Sequence, residues 1–201
     1  LLLNSFRKQL FHLVDRAVDG NNAIEQTHAN HRPSPLLSII VDGCMEKGLE
    51  INAGGARYNS TGCQGVGLAD VVDSLTAIDQ IVYQEKKRTL SELMAAVDID
   101  FNGYEDLRVY IVNKVPKYGE NADAADYYAK VVSSIYTDTV KRFLNPRGGH
   151  YFPGFWTMTT HMGFGTRMPA LPSGRRAGQA LANGASPCDG KDRKGPTAAL
   201  S

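Results

Sequence analysis

The sequence predicts an α/β fold in which helices outnumber strands. Several segments repeat apolar residues at helical spacing, and one segment near residue 160 is rich in aromatic, threonine and methionine residues that favour a strand. A glycine-rich loop separates two of the predicted helices. With 201 residues, 42% of them apolar and 21% charged, the chain has the composition of an ordinary folded protein of one domain, or at most two.

The longest predicted helix covers residues 4–30, where apolar residues recur on one face. It stops at residues 32–35, because proline disfavours helix in the residue before it. Residues 36–41 form a short apolar run, and periodicity leaves open whether they form a buried strand or begin another helix. The glycines of residues 53–67 predict a loop with unusual backbone angles, followed by an amphipathic helix over residues 68–82.

Three further helices are predicted in the middle of the chain. Thr89 and Glu92 have the spacing of a capping box and open a short helix that ends near Val97. Apolar periodicity predicts another short helix over residues 104–112 and a longer one over residues 123–144. The last part of the chain is rich in glycine and proline, which predicts irregular structure.

Residues 155–164 are predicted to form a strand, because aromatic, threonine and methionine residues dominate the segment. Alternate residues of a strand share a face, so Trp156, Met158, Thr160, Met162 and Phe164 are predicted to line one side of it. An apolar face that carries a hydroxyl fits the protein core or the wall of a substrate pocket. The residues alone favour the core and leave the pocket open.

Composition narrows the classes of function. A formal net charge of +1 argues against a nucleic-acid-binding protein, which needs a clustered basic surface. No run of apolar residues reaches the length of a membrane span. The three widely spaced cysteines fit a reducing cytoplasm, and none of them pairs at metal-ligand spacing. The sequence therefore predicts a cytoplasmic protein without a nucleic-acid or membrane partner and without a bound metal.

Three local motifs have a structural and a functional interpretation. Residues 62–67 are glycine-rich and precede a helix, but they lack the spacing of a nucleotide-binding loop, which favours a structural turn. Cys63 within them fits a small buried thiol better than a nucleophile. His28 and His31 lack the glutamate of a zinc-protease helix and fit a solvated helix end.

Three blocks and one short motif match a single protein family in the same order along nearly the whole chain. They are Gly54-Gly55-Ala56-Arg57-Tyr58-Asn59, Gly65-Val66-Gly67-Leu68-Ala69-Asp70, Pro116-Lys117-Tyr118-Gly119 and Leu171-Pro172-Ser173-Gly174-Arg175-Arg176-Ala177-Gly178. On these residues the chain closely resembles the glycyl radical enzymes of the pyruvate formate-lyase superfamily.

This resemblance implies a ten-stranded α/β barrel, built from two antiparallel half-sheets of five parallel strands each and surrounded by helices. All of residues 1–201 are expected to belong to this barrel domain. In the family, a cysteine on one central loop becomes a thiyl radical, and a glycine on a second loop stores the radical. The resemblance implies an internal fragment that holds neither loop and lacks the glycyl radical domain, so it contains no catalytic residue and is inactive alone. Cys44 lies two residues before Glu46, as in the catalytic motif, but its setting matches a later, non-catalytic stretch.

The predicted strand over residues 155–164 matches a family strand whose side chains reach the substrate. The resemblance thus implies a substrate pocket lined by Phe164, Thr160, Met162 and Met158. Phe164 stands where several dehydratases of the family have a tyrosine, and the wall is mostly apolar. These features favour an apolar or aromatic substrate, as in arylacetate decarboxylases or hydrocarbon–fumarate-adding enzymes. A small-polyol or amino-alcohol dehydratase or lyase, and a non-catalytic domain descended from the family, stay open as alternatives.

The resemblance also implies partners for the full-length protein. An activase of the radical-SAM class, which carries an iron–sulfur cluster, is expected to install the glycyl radical under anaerobic conditions. The intact enzyme is expected to be a homodimer that binds a small-molecule substrate. This chain itself is expected to bind no cofactor.

Overall fold

Helices account for most of the structure, a computed structural model that describes residues 1–200. The helices in this part of the chain are α1 (Leu2–His31), α2 (Pro35–Ile40), α3 (Cys44–Lys47), α4 (Leu68–Ile78), α5 (Leu90–Asp98), α6 (Glu105–Lys114), α7 (Asp123–Val140), α8 (Thr160–Gly165) and α9 (Pro196–Leu200). The strands are β1 (Thr61–Gln64) and β2 (Tyr151–Gly154). Among the described residues, no helix is both long enough and apolar enough to cross a lipid bilayer.

The helices predicted from apolar periodicity are confirmed, since α1, α4, α5, α6 and α7 lie where the sequence places them. α4 continues into a π-helical turn at Asp79–Gln84, which explains why its apolar stripe extends beyond the α-helix. The predicted capping box is present at α5, where Thr89 and Glu92 each accept a hydrogen bond from the other's backbone amide. Residues 36–41, which periodicity left open, are mostly helical, and Pro35 lies in the first turn of α2 as that position allows.

The chain divides into two compact units. The first comprises residues 1–64 and 135–154, and the second comprises residues 65–134 and the described residues from 155 onward. In the first unit β1 and β2 run parallel, with Thr61 opposite Tyr151. β1 lies inside the segment that the sequence predicted to be a glycine-rich loop. The strand was not predicted because its four residues carry no alternating apolar pattern. A mainly helical chain with a parallel strand pair is an α/β fold, as predicted.

The core of the second unit is built from α4, its π-helical extension, α5 and α6. Its largest fully buried apolar side chains are Ile81, Leu93, Phe101 and Ile111. Burial of side chains of this size contributes about 2 kcal/mol each relative to exposure. This core holds α4 in place. The buried residues of α4 also include two aspartates, Asp70 and Asp73.

The prediction of a strand over residues 155–164 is wrong. β2 ends at Gly154, an irregular segment follows, and α8 begins at Thr160. β2 pairs with β1 for four residues, and β1 itself ends at Gln64, so β1 offers the later residues no hydrogen-bonding groups. Aromatic and β-branched residues favour a strand only where a neighbouring strand pairs with their backbone and side chains on the same face of the sheet pack against them.

A partly buried ion pair connects α1 to the strand pair within the first unit. Arg147 Nε lies 3.1 Å from Glu25 Oε2, and the two side chains are only 21% and 15% exposed. The Thr61 hydroxyl donates to Glu25 Oε1 at 2.6 Å. Asn145 Nδ2 donates to Thr61 Oγ1 at 2.8 Å. This network holds the first residue of β1 against α1.

Arg147→Met should lower the free energy of unfolding by about 2 kcal/mol, because it leaves the Glu25 carboxylate partly buried without its cation. The matched control is Arg57→Met, which breaks an ion pair with Asp42 whose side chains are 67% and 62% exposed. That substitution should cost less than about 1 kcal/mol. Urea unfolding of the purified protein measures both changes, and equal losses would contradict a structural role for the Glu25–Arg147 pair.

Candidate functional site

The four residues predicted to line a substrate pocket lie on α8 and on the segment that leads into it. Met162 and Phe164 are 60% and 51% exposed, Thr160 is also exposed, and Met158 is half-buried. Residues four apart share one face of a helix, so Thr160 and Phe164 lie on the same side of α8. Met162 is two residues from each of them and therefore lies on the opposite side. The helix thus divides a set that a strand would place on one face.

A loop at residues 177–184, termed the backing loop, packs along this segment and makes hydrogen bonds to its backbone groups. The Met158 amide donates to Asn183 Oδ1 at 3.0 Å, just before α8 begins. The Leu181 amide donates to the His161 carbonyl at 3.4 Å, in the first turn of the helix. The backing loop therefore contacts the segment both before α8 and at its start.

Two glycines allow this close approach. A Cβ atom at Gly165, the last residue of α8, would lie 2.7 Å from Ala180 Cα. At Gly184, which has a φ of +60°, a Cβ atom would lie 2.9 Å from the Phe155 carbonyl oxygen. Side chains do not tolerate contacts this short with backbone atoms, so a larger residue at either position would push the backing loop away from α8 or from the segment before it.

Arg175 is buried, and its guanidinium binds backbone carbonyls on both sides of this contact. It donates to Gly165 and to Pro169, each at 2.8 Å. It also donates to Gln179 and Ala180 in the backing loop. A buried cation is tolerated only where its donors are paired, and here carbonyl oxygens pair them. Arg175 therefore links the last residue of α8 to the backing loop.

Two buried carboxylates of α4 anchor neighbouring loops. Asp70 Oδ2 accepts a hydrogen bond from the Ala182 amide of the backing loop at 2.6 Å. Asp73 Oδ1 accepts one from the Tyr118 amide at 2.8 Å. Burial raises the pKa of Asp73 to about 6, although the positive charge of Lys117 opposes this rise. Burial also raises the pKa of Asp70, against the opposing hydrogen bond from Ala182.

The buried Lys117 and the half-buried Cys188 complete this group. Lys117 donates to the Ser173 carbonyl at 3.2 Å, and burial lowers the pKa of its ammonium group while Asp73 opposes the change. Cys188 Sγ lies 3.8 Å from Asp70 Oδ1. Burial raises the pKa of the Cys188 thiol, and the carboxylates of Asp70 and Asp73 raise it further. A thiol kept protonated in this way is a poor nucleophile, so the cluster is suited to holding loops in place.

A cavity of about 430 Å³ opens beside this cluster within the second unit. The polar side chains in its lining include Asp70, Asp73, Arg108, Arg175, Cys188 and Lys191. Groups of both charge signs face the cavity, so its lining favours neither an anion nor a cation. In residues 1–200, no three His, Cys, Asp or Glu side chains come close enough together to hold a metal ion.

No functional role was predicted for Asp70, Asp73, Lys117 or Arg175, although all four lie in or beside blocks that carry the family resemblance. A signal was present in α4, since nine of its 11 residues are buried and two of those nine are acidic. Acidic residues within a helix that is buried on most sides must be paired. The sequence does not reveal their partners, because these lie on loops more than 40 residues away.

Comparison with known proteins identifies relatives along the whole chain. The family model described as pyruvate formate lyase-like matches residues 2–165. The chain is 41% identical over 199 residues to the trans-4-hydroxy-L-proline dehydratase of Clostridioides difficile, a match that covers 99% of this chain and 25% of that protein.

Two solved structures match equally broadly. A glycyl radical enzyme from Archaeoglobus fulgidus is 44% identical with a TM-score of 0.94, over 99% of this chain and 25% of that one. The glycerol-bound form of the B12-independent glycerol dehydratase from Clostridium butyricum is 39% identical with a TM-score of 0.93, over 98% of this chain and 25% of that one. The chain thus spans about a quarter of the length of these relatives.

The raised pKa of Asp73 predicts a pH dependence of stability. The folded protein retains the proton between the ordinary value of 3.8 and about 6, so the free energy of unfolding should fall as the pH rises through this window. The fall attributable to Asp73 should be about 3 kcal/mol. Asp73→Asn keeps an acceptor for the Tyr118 amide and should remove most of that fall.

The matched control for this pH dependence is Asp98→Asn, at an exposed position near the end of α5. Urea unfolding at closely spaced pH values between about 3.5 and 7 measures the slope for each variant. The same slope in the wild type and in Asp73→Asn would show that Asp73 is not the group that takes up the proton.

Proposed function

The chain belongs to the pyruvate formate lyase-like family of glycyl radical enzymes, and from that premise we propose that it is part of a radical dehydratase acting on a small hydroxylated substrate. The observation that supports this most is its 41% identity, across 99% of its length, to a hydroxyproline dehydratase. The similarity to a glycerol dehydratase supports the same class of reaction. Hydroxyproline and glycerol share a carbon-bound hydroxyl group that can leave as water.

This proposal replaces the expectation of an apolar or aromatic substrate. That expectation depended on a strand whose one face would carry Met158, Thr160, Met162 and Phe164. In the helix only Thr160 and Phe164 share a face, so the apolar methionines do not dominate it. The relatives with named activities favour the dehydratase alternative over decarboxylation or addition to fumarate.

Each pocket residue has a proposed task. The Thr160 hydroxyl is the hydrogen-bonding group for a substrate hydroxyl, and the Phe164 ring beside it shields the reacting carbon from water. Met158 and Met162 flank this pair and shape the pocket without a polar contact. The geometry supports this division, because Thr160 and Phe164 are both exposed on one side of α8.

The full-length enzyme that we propose is a homodimer whose subunit is a ten-stranded barrel. The parallel pairing of β1 and β2 supports a place for them as neighbours in one five-stranded half-sheet. The radical glycine and the thiyl cysteine belong to the remainder of that enzyme, and a radical-SAM activase with an iron–sulfur cluster installs the radical. The radical would supply abstraction of a hydrogen atom from the substrate and return of that atom to the product, and the neighbouring hydroxyl, once protonated, would leave as water between these two steps.

The proposed reaction is tested with the full-length enzyme, activated by its radical-SAM activase without oxygen and supplied with trans-4-hydroxy-L-proline, glycerol, propane-1,2-diol or an arylacetate. Loss of water from at least one hydroxylated substrate is expected, together with a glycyl radical signal in electron paramagnetic resonance. Enzyme that has not been incubated with the activase is the control and should be inactive. Decarboxylation of the arylacetate without any dehydration would contradict the proposal.

Thr160→Val should lower kcat/KM for the preferred hydroxylated substrate roughly ten- to hundredfold, because the substrate hydroxyl loses its proposed hydrogen-bonding partner. The control is Thr166→Val, since the Thr166 hydroxyl lies beyond α8 and donates to the Gly163 carbonyl at 2.8 Å. Steady-state kinetics at equal radical content compares the two variants. Equal effects of both substitutions would argue against contact between Thr160 and the substrate.

A further inference from the structure

α8 has little of its own to hold it in place. It is six residues long, contains two glycines and has no side-chain cap at its start. An isolated helix of that length is unstable in water, so its position depends on its neighbours. Thr160, Met162 and Phe164 are exposed and contribute little to packing. Whatever fixes α8 therefore also fixes the residues that we assign to substrate recognition.

The backing loop supplies contacts along the whole segment. Asn183 holds the Met158 amide before the helix, and the Leu181 amide binds the first turn. At the other end, Gly165 comes so close to the loop that no side chain fits between them. The loop is itself tied to α4, because Asp70 accepts the Ala182 amide. The position of α8 is thus linked to the core of the second unit.

Arg175 closes this connection at the end of α8. Its guanidinium donates to the Gly165 carbonyl on the helix and to the Gln179 and Ala180 carbonyls on the backing loop. A neutral side chain at this position would remove the guanidinium hydrogen bonds to the Gly165 carbonyl on one side and to the Gln179 and Ala180 carbonyls on the other, and would free α8 to move away from the loop. A shift of about 1 Å at a substrate-contacting residue is enough to cost about a hundredfold in rate.

We propose that Arg175 and Asn183 are positioning residues that set substrate selectivity by holding α8 against the backing loop. Neither residue touches the substrate, and both act through the placement of Thr160 and Phe164. This inference rests on the proposed function, because it takes α8 as part of the substrate pocket. It extends the site from four side chains to the loop that supports them.

Arg176 provides a matched control, because it is the same residue type at the adjacent position. Its guanidinium donates to the Asp100 carbonyl at 2.7 Å and lies 3.5 Å from the Asp100 carboxylate. Arg176→Met therefore removes the same charge and a similar volume without removing a direct contact to α8. Arg175→Lys and Asn183→Asp are conservative variants that keep, respectively, the cation and the acceptor.

The kinetic test uses the activated full-length enzyme and two hydroxylated substrates, one preferred and one poor. In Arg175→Met and Asn183→Ala, the ratio of kcat/KM between the two substrates should fall about tenfold at an unchanged glycyl radical content. The two conservative variants should restore part of the ratio, and Arg176→Met should leave it unchanged. If Arg175→Met does not fold, Asn183→Ala decides the outcome, since it removes a single hydrogen bond. An unchanged ratio in Asn183→Ala would overturn the inference.

A second readout separates this inference from the proposed function. Amide hydrogen exchange of residues 158–166 in the full-length enzyme needs no activity, and it should become faster in Arg175→Met and Asn183→Ala but not in Arg176→Met. Unchanged exchange in both variants would overturn the positioning role even if the wild type dehydrates its substrate. A wild type that dehydrates none of the substrates would instead overturn the proposed function, and with it the effect on selectivity. Faster amide exchange in the two variants would then still support the conclusion that Arg175 and Asn183 keep α8 in place.

Discussion

The arrangement around α8 depends on one buried cation, the guanidinium of Arg175. Taking a charge out of water is costly unless each donor finds an acceptor, and backbone carbonyls from two segments supply those acceptors. The same guanidinium binds the Gly165 carbonyl, which also accepts the Met168 amide, and the Gln179 and Ala180 carbonyls of the backing loop. Removing the cation therefore removes hydrogen bonds to α8 and to the backing loop at once, which is why a single side chain can hold a short helix and a loop together.

The buried charges nearby form a balanced group. Asp70 and Asp73 carry the negative charge, and Arg175 and Lys117 carry the positive charge, with attraction between Asp70 and Arg175 and between Asp73 and Lys117. Each aspartate also accepts a backbone amide from a separate loop. The group thus ties two irregular segments to α4, which is itself fixed by the apolar core. Polar anchoring of this kind suits a part of the chain where irregular structure must be rigid.

Most of the helical framework could be predicted from the sequence, because apolar periodicity and the Thr89–Glu92 capping box are local signals. The strand predicted for residues 155–164 failed, because strand formation depends on a neighbour that local composition does not report. β1 was missed for the related reason that four residues without an apolar pattern are a strand only through their partner. The pocket residues were proposed from family resemblance, and their support by Arg175 and Asn183 required the three-dimensional contacts.

The central claim is that α8 presents Thr160 and Phe164 to a small hydroxylated substrate while the backing loop holds it from behind. The claim rests on two observations. The chain belongs to the glycyl radical enzyme family, and the contacts of Arg175 hold α8 against the backing loop. A crystal structure of the full-length enzyme with its substrate bound tests it most directly. The account predicts the substrate hydroxyl within about 3.2 Å of Thr160 Oγ1, with Arg175 still bonded to the Gly165 carbonyl. A substrate bound elsewhere, with α8 facing bulk solvent, would contradict it.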